Sequence, residues 1–120
     1  MIMLEHELYT IIEITDNAVR VRLNPESAVF RGHFPGNPIT PGVCQVGIIG
    51  EVAGKICGGN LALREVKTLK YIDILRPSVE DVEVKFDKLE EAGGEVVAKG
   101  TVVSDGRVFT KFSFIFSKEA

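Results

Sequence analysis

One helix constrains what this chain can fold into. Thr40-Pro41 reads as an N-cap followed by proline at the first helical position. A mostly apolar run continues to Cys57, where Gly58-Gly59 ends it. Val43, Val46, Gly50, Ala53 and Cys57 share one stripe of this helix, and Cys44, Ile48, Val52 and Ile56 share another. A helix apolar on most of its sides is expected to be buried. Gly47, Gly50 and Gly54 lie inside it, each costing roughly 1 kcal/mol relative to alanine. Their presence predicts a close approach by a sheet, a second helix or a ligand.

The rest of the chain reads as strand. Leu8 to Thr15 is rich in Tyr, Ile and Thr, and Asp16-Asn17 is a turn signal. In Ala18 to Leu23, Val19, Val21 and Leu23 alternate with Arg20 and Arg22. A polar loop from Asn24 to Ala28 leads into a stretch dense in glycine and proline. Beyond the helix, Leu61 to Ile74 is a long candidate strand that Arg76-Pro77-Ser78 breaks. Val82, Val84 and Phe86 alternate with Glu83, Lys85 and Asp87. Turns at Ala92-Gly93-Gly94 and Ser104-Asp105-Gly106 bracket a strand from Glu95 to Val103. Val108 to Phe116 closes the set, with Phe112, Phe114 and Phe116 on one face. A single helix cannot cover such a set of strands arranged as a parallel sheet, and the hairpin-like connections favour antiparallel pairing. The expected architecture is α+β: a hot-dog fold, with an antiparallel sheet wrapped around one central helix, as a single domain over residues 1–120. By fold analogy such sheets pair through an edge strand, so a homodimer or a higher oligomer of dimers is expected.

Composition narrows the function classes. The 120 residues are 45% apolar, and no run is long enough to span a bilayer. The opening MIMLEHEL is acidic and lacks the regions of a signal peptide, so a cytoplasmic protein without a membrane partner is expected. A net charge of −3 argues against broad nucleic-acid binding. Cys44 and Cys57 have no metal-ligand spacing with the two histidines and read as reduced thiols, so no metal is expected. His6, between Glu5 and Glu7, reads as solvated.

The stretch from Gly32 to Gly42 is GHFPGNPITPG. It resembles the GHFPGxPxxPG signature of the 3-hydroxyacyl-acyl-carrier-protein dehydratases of fatty-acid synthesis, matching it at Gly32, His33, Phe34, Pro35, Gly36, Pro38, Pro41 and Gly42. A second segment, Lys70-Tyr71-Ile72 followed by Leu75-Arg76-Pro77 and Asp81, resembles the family's KFRxPVxPGD strand and turn. Val79-Glu80 stands there where the family has proline and glycine. The resemblance implies a dimer with active sites between subunits. It implies that His33 removes the proton next to the thioester carbonyl, that the Gly42 N–H receives the thioester oxygen, and that the Ile39 carbonyl orients the imidazole. Phe34, Ile39 and Gly47 are then expected to line the substrate site. No cofactor is implied, because the thioester itself is the electron sink.

Elementary chemistry agrees with those roles. Removing an α proton builds negative charge on the carbonyl oxygen, and a helix start offers unpaired N–H groups and a favourable dipole. Glycine at position 42 lets a ligand approach the backbone. Imidazole accepts and returns a proton near neutrality.

The family carries an acid on the central helix fourteen residues after the histidine, acting on the other subunit's site. Here that position is Gly47, which has no side chain. Glu51 lies one turn further on, roughly 6 Å along the axis. Three readings stay open. In one, Glu51 or a water replaces the missing acid and dehydration continues. In another, His33 works alone, on isomerisation or on an activated polyene precursor, as in dehydratase-like proteins of the aryl-polyene type. In the third, the chain binds acyl thioesters without turning them over. A hot-dog thioesterase is the alternative from another enzyme class. The thiol carrier is expected to be acyl carrier protein or coenzyme A, with Arg31, Arg64, Lys67, Lys70 and Arg76 as candidate docking charges.

Overall fold

The alternating segments form one sheet. β1 (Tyr9–Ile14) and β2 (Ala18–Leu23) make a hairpin. The short helix α1 (Ala28–Gly32) and the central helix α2 (Gly42–Cys57) follow, then β3 (Leu61–Tyr71), β4 (Val82–Ala92), β5 (Glu95–Ser104) and β6 (Arg107–Lys118). This computed structural model describes residues 4–32, 36, 38–77 and 81–119, with backbone only at 31 and 32. The strand order is β1-β2-β4-β5-β6-β3, and every neighbouring pair is antiparallel. α2 therefore carries the chain from the β1–β2 end of the sheet to β3 at the opposite edge. This is the α+β hot-dog architecture expected from the sequence.

The two hairpins after residue 82 have two-residue loops. Gly93-Gly94 takes φ of 61° and 81°, and Asp105-Gly106 takes 50° and 76°. Two successive positive φ values define the type I′ turn, whose twist matches that of the flanking strands. They set a register that turns Val82, Val84, Phe86, Val96, Ala98, Val102, Phe112, Phe114 and Phe116 inward. These residues form one core with Ile48, Ile49, Val52 and Ala53 of α2. The rings interlock. Phe86 meets Phe112 edge-on at 5.8 Å, Phe112 stacks on Phe114 at 5.2 Å, and Phe114 meets Phe116 edge-on at 5.9 Å between centroids.

Local physics moves three boundaries from their expected places. Ala28–Gly32 is helical rather than loop, and five residues are too few to display a helical period. Pro41, not Thr40, holds the N-cap position of α2, with φ −59° and ψ 145° and no side-chain cap. Thr40 is instead only 2% exposed, and its N–H bonds the Leu75 carbonyl at 2.7 Å. β3 stops at Tyr71, because the N–H groups of Ile72 and Asp73 both turn to the Phe109 carbonyl, at 2.8 and 3.2 Å. The sheet buries one face of α2 and leaves the other open, with Val43 78% exposed.

Gly100 shows why a residue without a side chain sits in mid-strand. It pairs with Phe86 beside a β-bulge in β4. A Cβ there would touch the Lys85 carbonyl and lie 3.0 Å from the Phe86 Cα, both immovable backbone. Gly100→Ala is expected to lower stability by about 1–3 kcal/mol through overpacking. Urea unfolding measures it, and an unchanged midpoint would show that the bulge absorbs the methyl group.

Candidate active site

The start of α2 is the first part of the site. Pro41 fixes the entry, and its carbonyl accepts from the Cys44 and Gln45 N–H groups at 3.0 and 3.2 Å. The N–H groups of Gly42 and Val43 precede any intrahelical partner. Among the described residues no side chain caps them. They form a small electropositive end suited to an oxygen that gains negative charge. Ile39 is half-buried in the extended segment just before it. His33 and Phe34, the expected base and its neighbour, lie outside the described residues.

Gly42 is glycine for a reason that the sequence did not reveal. Tyr71, at the end of β3, lays its ring across this residue. A Cβ at position 42 would touch the Tyr71 Oη and lie 2.5 Å from its Cζ. In the sequence Tyr71 stands out only within the second family-like segment, Lys70 to Asp81. Strand alternation cannot show that the strand end crosses a helix start.

Gly47 also has an occupant. A Cβ there would lie 2.7 Å from Leu4 Cδ1, so the N-terminal segment packs against this residue. The Gly50 Cβ position is 3.2 Å from Phe116 Cε1, an approach by the sheet. Next to these contacts runs a groove of about 900 Å³, bounded by Leu4, Gly47, Gly50, Leu61, Leu63 and Phe116 among others.

Glu51 lies on this side of the helix, and both its oxygens are engaged. Oε2 accepts from the Leu4 N–H at 2.7 Å. Oε1 accepts from the Glu5 N–H at 3.0 Å and from the Tyr9 hydroxyl at 2.8 Å. Burial, and then the hydrogen bond to Glu51, push the Tyr9 hydroxyl far above the ordinary phenol range, so it stays a donor. All three bonds run from the segment before β1 and from Tyr9 to the carboxylate oxygens, which ties Glu51 to the N-terminal side of the fold. Glu51 also stands about 14 Å along the helix from Gly42. Lys55 adds an ion pair to Glu5 at 3.2 Å, so α2 holds the segment before β1 at several points.

The remaining candidates are dispersed. Cys44 and Cys57 are free thiols, and burial pushes both upward in pKa, away from the thiolate form a nucleophile needs. His6 is exposed, near Glu5. Arg64 pairs with Glu95 at 3.0 Å, and Lys67 lies 3.8 Å from Glu65, while Lys70 is exposed on the same strand. Arg76 is half-buried. The side chain of Arg31 is outside the described residues. No described helix is long and apolar enough to cross a membrane.

A hot-dog fold with a proline-set helix start directly behind the GHFPGNPITPG segment defines the dehydratase class of this architecture. Residues 12–107 match the ApeI-like family of ApeI dehydratases. The chain belongs to that family. It is 30% identical to the 3-hydroxyacyl-[acyl-carrier-protein] dehydratase FabZ of Latilactobacillus sakei over 104 residues, 80% of this chain and 74% of the relative. Its fold is also that of the dehydratase heterocomplex ApeI:P from Xenorhabdus doucetiae, with TM-score 0.66 and 15% identity, covering 95% of this chain and 100% of the other. A hypothetical thioesterase with coenzyme A from Streptococcus pneumoniae shares the fold as well. There the TM-score is 0.66 and the identity 14%, over 93% of this chain and 86% of the other.

Proposed function

We propose that this chain removes water from 3-hydroxyacyl thioesters, carried by acyl carrier protein or coenzyme A, to give trans-2-enoyl thioesters in fatty-acid or polyene-type synthesis. The observation that carries this reading is the start of α2 at Gly42, whose first N–H groups have no side-chain cap among the described residues, at the end of the complete histidine signature. His33 takes the α proton, and its imidazole is oriented by the Ile39 carbonyl. The electron pair of the broken C–H bond forms the C=C bond as the C3–O bond breaks. The Gly42 N–H stabilises the negative charge on the thioester oxygen meanwhile. The imidazolium of His33 then returns its proton to the departing hydroxide, giving water and restoring the base. One residue therefore serves as base and acid, and no acid is needed at Gly47. Phe34 borders the reacting end of the substrate and the Gly47 region borders the acyl chain. The carboxylate of Glu51 is assigned to holding the segment before β1.

The test is to supply a 3-hydroxyacyl carrier-protein thioester and follow both products. Enoyl thioester without free thiol supports dehydration. Free thiol without enoyl product points to a thioesterase, and binding without either product points to a non-catalytic carrier-binding subunit.

The site is proposed to form in a homodimer of single hot-dog domains. β3 is an edge strand of eleven residues. Leu63 and Val66 on it are exposed, as are Ile72 and Ile74 just beyond it, beside the open face of α2. A long apolar edge left unpaired is a liability that pairing removes. Replacing Leu63 and Val66 together by lysine is expected to halve the mass seen by sedimentation equilibrium. An unchanged dimer mass would place the interface elsewhere.

A further inference from the structure

We propose that Tyr71 is a second hydrogen-bond donor to the thioester oxygen, beside the Gly42 N–H. It is then a catalytic residue of the dehydration proposed above, a reading on which this assignment rests.

Three observations converge on it. The first is position. The nearest atoms to a Cβ built at Gly42 all belong to the hydroxyl end of Tyr71: Oη in contact, Cζ at 2.5 Å and Cε2 at 3.0 Å. A substrate oxygen that accepts from the Gly42 N–H thus arrives beside a phenolic O–H. The ring is held there by the end of β3. Tyr71 pairs with Thr110, and the next two N–H groups are fixed on the Phe109 carbonyl.

The second is that the hydroxyl is uncommitted. Thr110, opposite Tyr71 across the sheet, gives its own O–H to Gln45 Oε1 at 2.5 Å in a buried pair. Among the described residues the Tyr71 hydroxyl has no hydrogen-bond partner, and the side chain is 51% exposed. A polar group placed against a helix start, with no hydrogen-bond partner among the described residues, is open to a ligand. Burial pushes the hydroxyl above its ordinary pKa, so at neutral pH it is a neutral donor and not a base.

The third lies two residues before Gly42. The Thr40 hydroxyl is buried and has no hydrogen-bond partner among the described residues. Buried polar groups are normally paired, and an exception calls for an explanation. The polar groups at this end of α2 are more than the described residues satisfy.

The chemistry fits the placement. Proton removal by His33 turns the thioester oxygen towards an enolate. A donor already in place strengthens as that charge develops and needs no reorganisation. Tyr71 moves no proton in this role. It polarises the carbonyl, and the proton path through His33 is unchanged.

The experiment compares the full chain with Tyr71→Phe, which keeps the ring over Gly42 and removes only the hydroxyl. Two readouts are taken: kcat for dehydration of a 3-hydroxyacyl thioester, and the infrared carbonyl stretch of a bound enoyl thioester. The expected result is a fall in kcat of about tenfold or more, with little change in KM and an unchanged thermal midpoint. Removing one oxyanion donor typically lowers kcat by roughly 10²–10³-fold, and half-exposure moderates this. The bound carbonyl is expected to absorb at lower frequency than in water, and Tyr71→Phe is expected to lose part of that shift. If the wild type forms no enoyl product yet shows the shift, and Tyr71→Phe diminishes it, the donor assignment stands and the dehydratase reading fails. If the stretch and kcat are the same in both proteins, Tyr71 only covers Gly42 and the proposal is overturned.

Discussion

Replacing His33 by alanine is expected to lower the rate of enoyl-thioester formation by about 10²–10⁴-fold, the usual range for loss of a general acid–base group. The size follows from the proposed chemistry, in which one imidazole takes the α proton and hands it to the departing hydroxide. Neither Glu51, with its oxygens occupied, nor the thiols, pushed upward by burial, offers a replacement base. The Gly42 N–H and Tyr71 remain, so a residual rate above that in water is also expected. The comparison is initial rates of enoyl formation, with circular dichroism as the check on folding. A His33→Ala rate within threefold of wild type would remove the histidine from the mechanism.

Replacing Glu51 by alanine is expected to destabilise the fold by about 3 kcal/mol. The carboxylate accepts from two backbone N–H groups and one buried hydroxyl. A buried donor left without a partner costs about 1–3 kcal/mol. Rehydration of Leu4 and Glu5, as their segment lifts from α2, limits the total. Leu4 then leaves Gly47 as well, and that contact is lost along with the hydrogen bonds. Glu51→Gln retains one acceptor and is expected to lose about half as much, with turnover unchanged. Urea unfolding and initial rates on the same preparations measure the two effects. Lost dehydration in Glu51→Gln, at an unchanged unfolding midpoint, would return Glu51 to the role of the acid.

These two residues also show where sequence reading succeeds and where it stops. The strands of the second half were legible because each buries one face. Period-two alternation at Val82, Val84 and Phe86, and at Phe112, Phe114 and Phe116, therefore reports the core directly. The end of α2 was legible because Gly58-Gly59 is a local signal. The start was less so. Thr40-Pro41 carries a capping pattern, but tertiary contacts bury Thr40 and give the cap position to Pro41. The histidine signature was legible as a motif because its prolines and glycines dictate backbone shape locally. Glu51 could be noticed as a lone acid on an apolar helix, but its partners lie more than forty residues earlier in the chain. Only folding brings them together. The same holds for Leu4 on Gly47 and Tyr71 on Gly42. A glycine in a sequence announces that something comes close without saying what.

The reaction itself is tested most directly from the product side. Elimination of water is reversible, so the chain should also hydrate a trans-2-enoyl thioester. Incubation in water enriched in ¹⁸O, followed by mass spectrometry of the intact thioester, reads the outcome. The expected product is a 3-hydroxyacyl thioester with one ¹⁸O atom at C3, formed by wild type and not by His33→Ala. Label appearing only in a released carboxylate, with free thiol, would contradict it and identify hydrolysis as the reaction.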